Sequence, residues 1–132
     1  MRVEIRRSEV EGTVSAPPSK SYTHRALICS ALAHGTSRIL SPLRSDDTEA
    51  TCRVLGNLGV NLIEGEDFWR VEGGELQRSG SELFCGESGT TLRFMTALCA
   101  LVDGESKLTC RPSLSHRPIV PLLEGLKQLE VD

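Results

Sequence analysis

The segment Pro17-Pro18-Ser19-Lys20-Ser21-Tyr22-Thr23-His24-Arg25 decides how this chain is organised. Its two prolines keep the backbone extended and cannot continue a helix, so they set a sharp entry point. Ser19 then has the position and chemistry of a helix N-cap. The Ala- and Leu-rich sequence that follows predicts a helix from Ser21 to His34, closed by Gly35.

Three side chains of this segment are suited to bind an anion. Lys20 stands at the mouth of the predicted helix, where unpaired backbone N–H groups and the helix dipole favour negative charge. Ser21 and Arg25 are four residues apart, so we expect them to share one helix face. We interpret the segment as a phosphate or carboxylate site. The alternative is that Lys20 and Arg25 are solvated charges on an ordinary exposed helix face.

The length and composition are typical of a single globular domain. The 132 residues are 39% hydrophobic and 25% charged, with a net charge of −3. No basic stripe with interleaved aromatics indicates nucleic-acid binding, and no apolar run is long enough to span a bilayer. The N-terminal residues 1–7 alternate charge with Val and Ile, which predicts an edge strand and lacks the apolar core of a signal peptide. We therefore expect a cytoplasmic protein that binds neither nucleic acid nor membrane.

The cysteines and histidines do not predict a metal site or a disulfide framework. The cysteine count is odd, and no pair has C-x-x-C spacing. The histidines are also too widely scattered in sequence to form a cluster by spacing. We expect buried reduced thiols and no bound metal. These residues are Cys29, Cys52, Cys85, Cys99 and Cys110, with His24, His34 and His116.

The first half of the chain predicts alternating strands and helices. A helix is expected to begin at Ser45, followed by Asp46, Asp47 and Glu49 in its first turn. This position favours stabilisation of the helix dipole by Asp46 and Asp47 over an acid-base role. The remaining predicted elements are strands at 11–16 and 36–41, the end of the second helix at Gly59, a hairpin from strands 60–64 and 68–72, and a loop at 73–81.

The second half predicts the same order again. Strands are expected at 82–85 and 105–110, a Gly-rich turn at 86–91 leads into a helix that ends near Gly104, and Arg117-Pro118 opens a last helix with Pro at its first position. Arg25 and Arg93 are 68 residues apart, and the helix ends at residues 30–35 and 99–104 correspond at an offset of 69. Such a repeat predicts an α/β (α+β) fold of βαβαββ units.

The repeat also divides the chain. Residues 1–18 are opening strands, residues 19–81 form a first βαβαββ unit, and residues 82–132 form a second unit that stops before its hairpin. We expect just under two repeats.

The Gly-rich turn of the second unit is a further candidate anion site. Gly86 and Gly89 allow the backbone to approach a ligand, and Arg93 is expected on the same helix face as Gly89. Ser88 and Thr90 add hydroxyl groups near the helix mouth. No Gly-Lys-Ser/Thr or G-x-G-x-x-G pattern is present, so this is neither a P-loop nor a dinucleotide fingerprint. A purely structural turn is the alternative.

The segment Ser113-Leu114-Ser115-His116-Arg117-Pro118 contributes one more cation. Arg117 stands just before the last predicted helix, where it can add a guanidinium that binds a carboxylate or phosphate through two hydrogen bonds. The alternative is a helix-entry loop with a solvated arginine.

Taken together, four ordered motifs resemble the 5-enolpyruvylshikimate-3-phosphate (EPSP) synthase family. They are Pro18-Ser19-Lys20-Ser21 with Arg25, Ser45-Asp46-Asp47, Gly86-Glu87-Ser88-Gly89-Thr90-Thr91-Leu92-Arg93-Phe94, and residues 113–118. The resemblance implies transfer of the enolpyruvyl group of phosphoenolpyruvate to the 5-hydroxyl of shikimate 3-phosphate. It also implies loss of phosphate from a tetrahedral intermediate, without metal or organic cofactor, and inhibition by glyphosate.

The resemblance assigns roles to individual residues. It implies that Ser21 and Arg25 bind shikimate 3-phosphate. Lys20 would contact phosphoenolpyruvate and contribute electrostatically to catalysis, with Gly89 lining the phosphate pocket and Arg117 binding the same substrate. Supporting roles fall to Asp47, Thr90 and Arg93.

Two residues depart from the family pattern. Glu87 stands where Asn is expected, which adds a carboxylate beside the anion pocket. Glu130 stands where Gly is expected before Val131.

The family is much longer than this chain and has two domains. We therefore expect an N-terminal fragment that is inactive alone, that lacks the acid-base residues of the second domain, and whose residues 1–18 associate with that domain. Its partners would be the two substrates, the remainder of the enzyme, and a second copy of the chain through an exposed sheet edge. The competing hypothesis is a stand-alone anion-binding or assembly module with the same fold and no catalysis.

Overall fold

Serine caps begin the three longest helices of the protein. In a computed structural model, which describes residues 2–131, Ser19 accepts a hydrogen bond from Tyr22 N, Ser45 from Thr48 N, and Ser88 from Thr91 N. The helices are α1 (Lys20–Leu32), α2 (Asp46–Asn57), α3 (Gly89–Cys99), α4 (Pro112–Ser115) and α5 (Val120–Gln128). The strands are β1 (Gly35–Leu40), β2 (Asn61–Glu64), β3 (Phe68–Gly73), β4 (Leu83–Phe84) and β5 (Leu108–Thr109).

The strands form two sheets against the helices. β3 is the central strand of an antiparallel sheet in the order β1-β3-β2, and the predicted β2–β3 hairpin is confirmed. β4 and β5 pair in parallel as a separate two-stranded sheet. A single apolar cluster connects both halves, with Leu27 of α1, Leu55 of α2, Trp69 of β3 and Met95 of α3 all at 0% exposure. The predicted mixture of helices and sheets is therefore confirmed.

The two units share backbone geometry at their helix ends. After α2, Val60 N bonds to Leu55 O at 3.0 Å and Gly59 has a φ of 90°. After α5, Val131 N bonds to Leu126 O at 3.1 Å and Glu130 has a φ of 61°. Both are Schellman ends, in which the residue after the cap adopts the left-handed conformation that glycine tolerates best. Glu130 thus occupies a backbone position suited to glycine, as the sequence comparison with the family pattern predicts.

The strands expected within residues 1–18 are not formed. Residues 2–19 have no helix or strand, residue 1 lies outside the described residues, and every side chain from 2 to 19 is exposed. A strand needs a hydrogen-bonded neighbour, and no described sheet edge pairs with this segment. Its apolar side chains remain 65% to 94% exposed, namely those of Val3, Ile5, Val10 and Val14. Alternating sequence alone therefore does not create a strand here.

The second unit departs from its predicted helix boundaries. The helix expected to reach Gly104 ends at Cys99, and the short helix α4 was not predicted. The last helix begins at Val120, so Pro118 is not its first residue, and Pro121 is the proline in its first turn. Pro118 instead offers its carbonyl to Arg93 Nη2 at 2.8 Å, which fixes this residue in the approach to the helix. Helix α5 has no buried residue.

Cysteine placement agrees with the expectation only in part. Burial raises the pKa of Cys52 and of Cys85 to about 12. Cys29, however, is exposed, so the expectation that the thiols are buried is wrong for this residue. Between residues 2 and 131, no helix is both long and apolar enough to cross a bilayer. Within the same range, no three His, Cys, Asp or Glu side chains are grouped to hold a metal ion.

Replacing Glu130 by glycine should stabilise the protein. Glycine adopts the left-handed conformation without the steric cost that a Cβ atom brings. Its greater conformational freedom in the unfolded chain offsets part of this gain, so the free energy of unfolding should rise by about 0.5–1 kcal/mol. Urea unfolding measures this change. The matched control is Gln128→Gly, at the last residue of α5, which should lower stability by up to about 1 kcal/mol. Destabilisation by both substitutions would contradict the strain assigned to Glu130.

Candidate anion-binding site

Helices α1, α2 and α3 begin next to one another. Lys20, the first residue of α1, donates from Nζ to Asp47 Oδ2 of α2 at 2.7 Å. Thr91, in the first turn of α3, donates from Oγ1 to the backbone carbonyl of Asp47 at 3.1 Å. The first turn of each helix carries unpaired N–H groups and the positive end of the dipole. Three such ends at one place favour binding of a negatively charged ligand.

Asp47 holds Lys20 at this position. The two side chains are 50% and 28% exposed, so solvent screening limits their contribution to stability to at most about 1 kcal/mol. The ion pair therefore acts mainly by orienting Lys20 over the first turn of α2. Asp47 itself lies in the first turn, where a carboxylate is favoured by the helix dipole. Its supporting role in a binding site stays a prediction.

Ser21 and Arg25 lie one turn apart on α1, as predicted. Arg25 donates from Nη1 to the backbone carbonyl of Ser21 at 3.1 Å, and both residues are exposed. Their contact runs through the carbonyl and leaves the Ser21 hydroxyl available to a ligand. None of the described hydrogen bonds connects this pair to Gly89 or Arg117.

Two guanidinium groups flank Gly89. A Cβ atom built on Gly89 would lie 3.1 Å from Arg93 Nη1 and 3.4 Å from Arg117 Nη1. Arg93 donates to the carbonyl of Gly89 at 3.2 Å, in the same way that Arg25 contacts Ser21. No hydrogen bond among residues 2–131 engages the Arg117 guanidinium, so its fork of donors is available to an anion. The structure thus brings together the residues predicted for the second anion site.

Glu87 and Thr90 are two further polar residues of this Gly-rich turn. Glu87 accepts a hydrogen bond from Ser113 Oγ of α4 at 3.0 Å, which connects the turn before α3 to the segment that carries Arg117. Together with Asp46, Asp47 and Arg111, it lines an open cavity of about 370 Å³. Thr90 is half-buried beside Gly89, and its hydroxyl takes part in none of the described hydrogen bonds.

A buried chain of polar side chains lies below these charges and was not predicted. His24 Nδ1 is 2.9 Å from Thr51 Oγ1, which is 2.8 Å from Thr91 Oγ1. Thr91 Oγ1 in turn lies 2.7 Å from Ser88 Oγ, the cap of α3. The available signal was the placement of Thr and His at positions that fall on the buried side of α1 and α2, where apolar residues are usual.

His24 is held in its neutral form. Burial is the largest influence and lowers its pKa below the ordinary value of 6.5, because the charged form loses its hydration. The nearby Asp47 carboxylate raises the pKa, and the Lys20 and Arg25 cations lower it. At neutral pH the imidazole therefore carries no charge, although it lies among charged groups.

The sequence matches a known family over nearly its full length. The family model described as EPSP synthase (3-phosphoshikimate 1-carboxyvinyltransferase) matches residues 5–132. The 3-phosphoshikimate 1-carboxyvinyltransferase of Dehalococcoides mccartyi is 42% identical over 134 residues, which cover 100% of this chain and 32% of the relative. The enzyme of the same name from Methanothermobacter thermautotrophicus is 46% identical over 125 residues, covering 93% and 30%. The chain thus spans about a third of the length of these curated relatives.

The fold matches as well. The structure of EPSP synthase from Acinetobacter baumannii superposes with a TM-score of 0.86 at 27% identity, covering 92% of this chain and 28% of that one. The sequence and the fold therefore point to the same group of proteins.

Stability should fall as the pH is lowered through the ordinary pKa of histidine. The unfolded chain binds a proton at His24 near pH 6.5, whereas the folded state binds it only at lower pH. Between these two values the unfolded state holds more protons, so the free energy of unfolding decreases with decreasing pH. Urea unfolding between about pH 7.5 and 5.5 measures the slope. His24→Asn should flatten it, and the exposed-site control His34→Asn should not; equal slopes in all three proteins would contradict the assignment.

Proposed function

Because the chain belongs to the EPSP synthase family, we propose that it supplies one part of a transferase that moves the enolpyruvyl group of phosphoenolpyruvate to the 5-hydroxyl of shikimate 3-phosphate. Phosphate is the second product. The proposed reaction lies on the cytoplasmic route to chorismate and the aromatic amino acids. The observation that carries the proposal is the meeting of three helix N-termini, where Asp47 holds Lys20 and where Arg93 and Arg117 flank Gly89.

The charges of this site suit the two substrates. Each substrate carries a phosphate and a carboxylate, so each needs cations and N–H donors at more than one point. We assign Ser21 and Arg25 to shikimate 3-phosphate, since both are exposed and lie one turn apart on the same face of α1. Lys20, Gly89 and Arg117 are assigned to phosphoenolpyruvate, with Lys20 acting on the developing charge of the transition state.

The catalytic contribution of this chain is electrostatic and positional. Cations fixed before the substrates arrive stabilise charge that develops during addition, without the cost of reorganising solvent. Asp47 fixes Lys20, and Arg93 fixes the backbone at Gly89 and Pro118 next to Arg117. Thr90 supports the same turn. We assign no proton transfer to these residues and no metal or cofactor to the site; the acid-base groups come from the remainder of the enzyme, and the chain alone binds without turning over.

A nuclear magnetic resonance titration with shikimate 3-phosphate and then phosphoenolpyruvate tests the proposal. Saturable shifts are expected at Ser21 and Arg25 with the first ligand and at Lys20 and Gly89 with the second. Gly89→Ala should weaken binding of phosphoenolpyruvate about tenfold, the effect of losing roughly one hydrogen bond, because its Cβ displaces the flanking guanidinium groups.

The matched control for this substitution is Gly56→Ala in α2, where a Cβ meets open space. It should leave both affinities unchanged. A folded wild-type spectrum that responds to neither ligand would contradict binding by this chain. Release of phosphate by the chain alone, dependent on shikimate 3-phosphate, would contradict the assignment of acid-base chemistry to the rest of the enzyme.

We also infer that a sheet edge allows the chain to associate with a second copy. β1 and β2 are the outer strands of their sheet, and Leu40 of β1 and Ile63 of β2 are 68% and 44% exposed. Unpaired edge strands with apolar side chains favour pairing with another strand.

Sedimentation equilibrium should show a monomer–dimer equilibrium, and Leu40→Lys should weaken it by placing a charge on the edge. A monomer at every concentration up to the millimolar range would contradict the inference.

A further inference from the structure

The buried polar chain from His24 to Ser88 joins the three helices that form the anion site. His24 belongs to α1, Thr51 to α2 and Thr91 to α3, and Ser88 caps α3. His24, Thr51, Ser88 and Thr91 are all at 1% exposure or less. Apolar side chains at these four positions would be buried at a lower desolvation cost. The presence of polar side chains there therefore calls for an explanation other than stability.

The partners of His24 select one tautomer. Nδ1 has Thr51 as its partner, whereas Nε2 is buried and has none among residues 2–131. A proton on Nε2 would leave a buried N–H donor without an acceptor, which is rarer and more costly than an unused lone pair. The proton is therefore assigned to Nδ1, and His24 donates to Thr51.

This tautomer fixes which group donates and which accepts in the buried network of hydrogen bonds. With its oxygen accepting from His24, the Thr51 hydroxyl can donate to Thr91 Oγ1 or to the carbonyl of Asp47. Thr91 donates onward to Ser88 Oγ or to the same Asp47 carbonyl. Each hydroxyl has one proton, and a Thr51 hydroxyl that accepts from His24 keeps its own proton for Thr91 or Asp47. The donor at His24 therefore links α1 to the groups that hold the first turn of α3.

We propose that His24 is a positioning residue of the anion site. Through Thr51 and Thr91, its Nδ1–H group fixes the first turn of α3, which carries Gly89, against α1, which carries Lys20. The proposal rests on the proposed function only for the identity of the ligand. His24 does not touch the ligand, since it is 1% exposed.

The charged groups around His24 explain why it must remain neutral there. Asp47 faces it from α2, and Lys20 and Arg25 lie on its own helix. A charged imidazole would add a third cation without hydration beneath two that already face the ligand. Neutral histidine supplies a donor without that repulsion.

Two polar substitutions separate the role of Nδ1 from that of Nε2. The amide of asparagine reaches the position of Nδ1, whereas the longer glutamine places its amide near Nε2. His24→Asn should therefore keep the wild-type affinity for phosphoenolpyruvate, and His24→Gln should weaken it about tenfold, the effect of one lost hydrogen bond. Thr91→Val and Thr96→Val form the second matched pair. Thr91→Val removes a hydroxyl from the buried hydrogen-bond network. Thr96→Val is its control, because the Thr96 hydroxyl bonds only within α3, to Leu92 O.

Ligand-free measurements make the result independent of binding. Imidazole ¹⁵N shifts of the wild-type protein should show the Nδ1–H tautomer for His24. Amide hydrogen exchange at Thr91 and Leu92 should accelerate about tenfold in His24→Gln and Thr91→Val, and remain unchanged in His24→Asn and Thr96→Val. An Nε2–H tautomer, or equal exchange within either pair, would overturn the positioning role. If the wild-type protein bound neither ligand, that result would count against the proposed function. The hydrogen-exchange result would still test the positioning role of His24.

Discussion

The site depends on two contacts of Asp47, one through its side chain and one through its backbone. Its carboxylate holds the Lys20 ammonium, and its backbone carbonyl accepts the hydroxyl of Thr91. One residue in the first turn of α2 thereby sets the distance of α1 on one side and α3 on the other. Neither contact is strong by itself, because the ion pair is partly exposed and the hydrogen bond exchanges for one with water. Their value is geometric, since they bring like-oriented helix dipoles together that would otherwise repel.

Holding three positive ends and several cations in one place has an energetic cost, which the core offsets. Leu27, Leu55 and Met95 pack below the charged end of the helices at 0% exposure. Full burial of one such side chain contributes about 1.5–3 kcal/mol, which is more than an exposed ion pair contributes. Part of the charged end can therefore remain without a counter-ion until an anion arrives, which is the arrangement expected of a preorganised site. The Arg117 guanidinium, which has no hydrogen-bond partner among the described residues, is the clearest case.

Sequence patterns predicted those features that depend on neighbours along the chain. The caps at Ser19 and Ser45, the β2–β3 hairpin and the clustering of Gly89 with Arg93 follow from turn chemistry and helical spacing, and they are present. The failures concern partners distant in sequence. Strands within residues 2–18 need an edge to pair with, and helix α4 contacts a turn 26 residues away through the hydrogen bond of Ser113 with Glu87. The contacts among His24, Thr51 and Thr91 were missed for the same reason, because these residues are 27 and 40 positions apart in sequence.

The two Schellman ends have the same geometry although they are built from different residues. Gly59 and Glu130 both adopt a left-handed φ, and both helix ends close the same pair of hydrogen bonds. Glycine adopts this conformation without strain, whereas a residue with a Cβ adopts it only where its surroundings impose it. At Glu130 the conformation is therefore set by the hydrogen bonds of the helix end and not by the residue type. A helix end of this kind is visible in torsion angles and is missed by a search of the sequence for glycine.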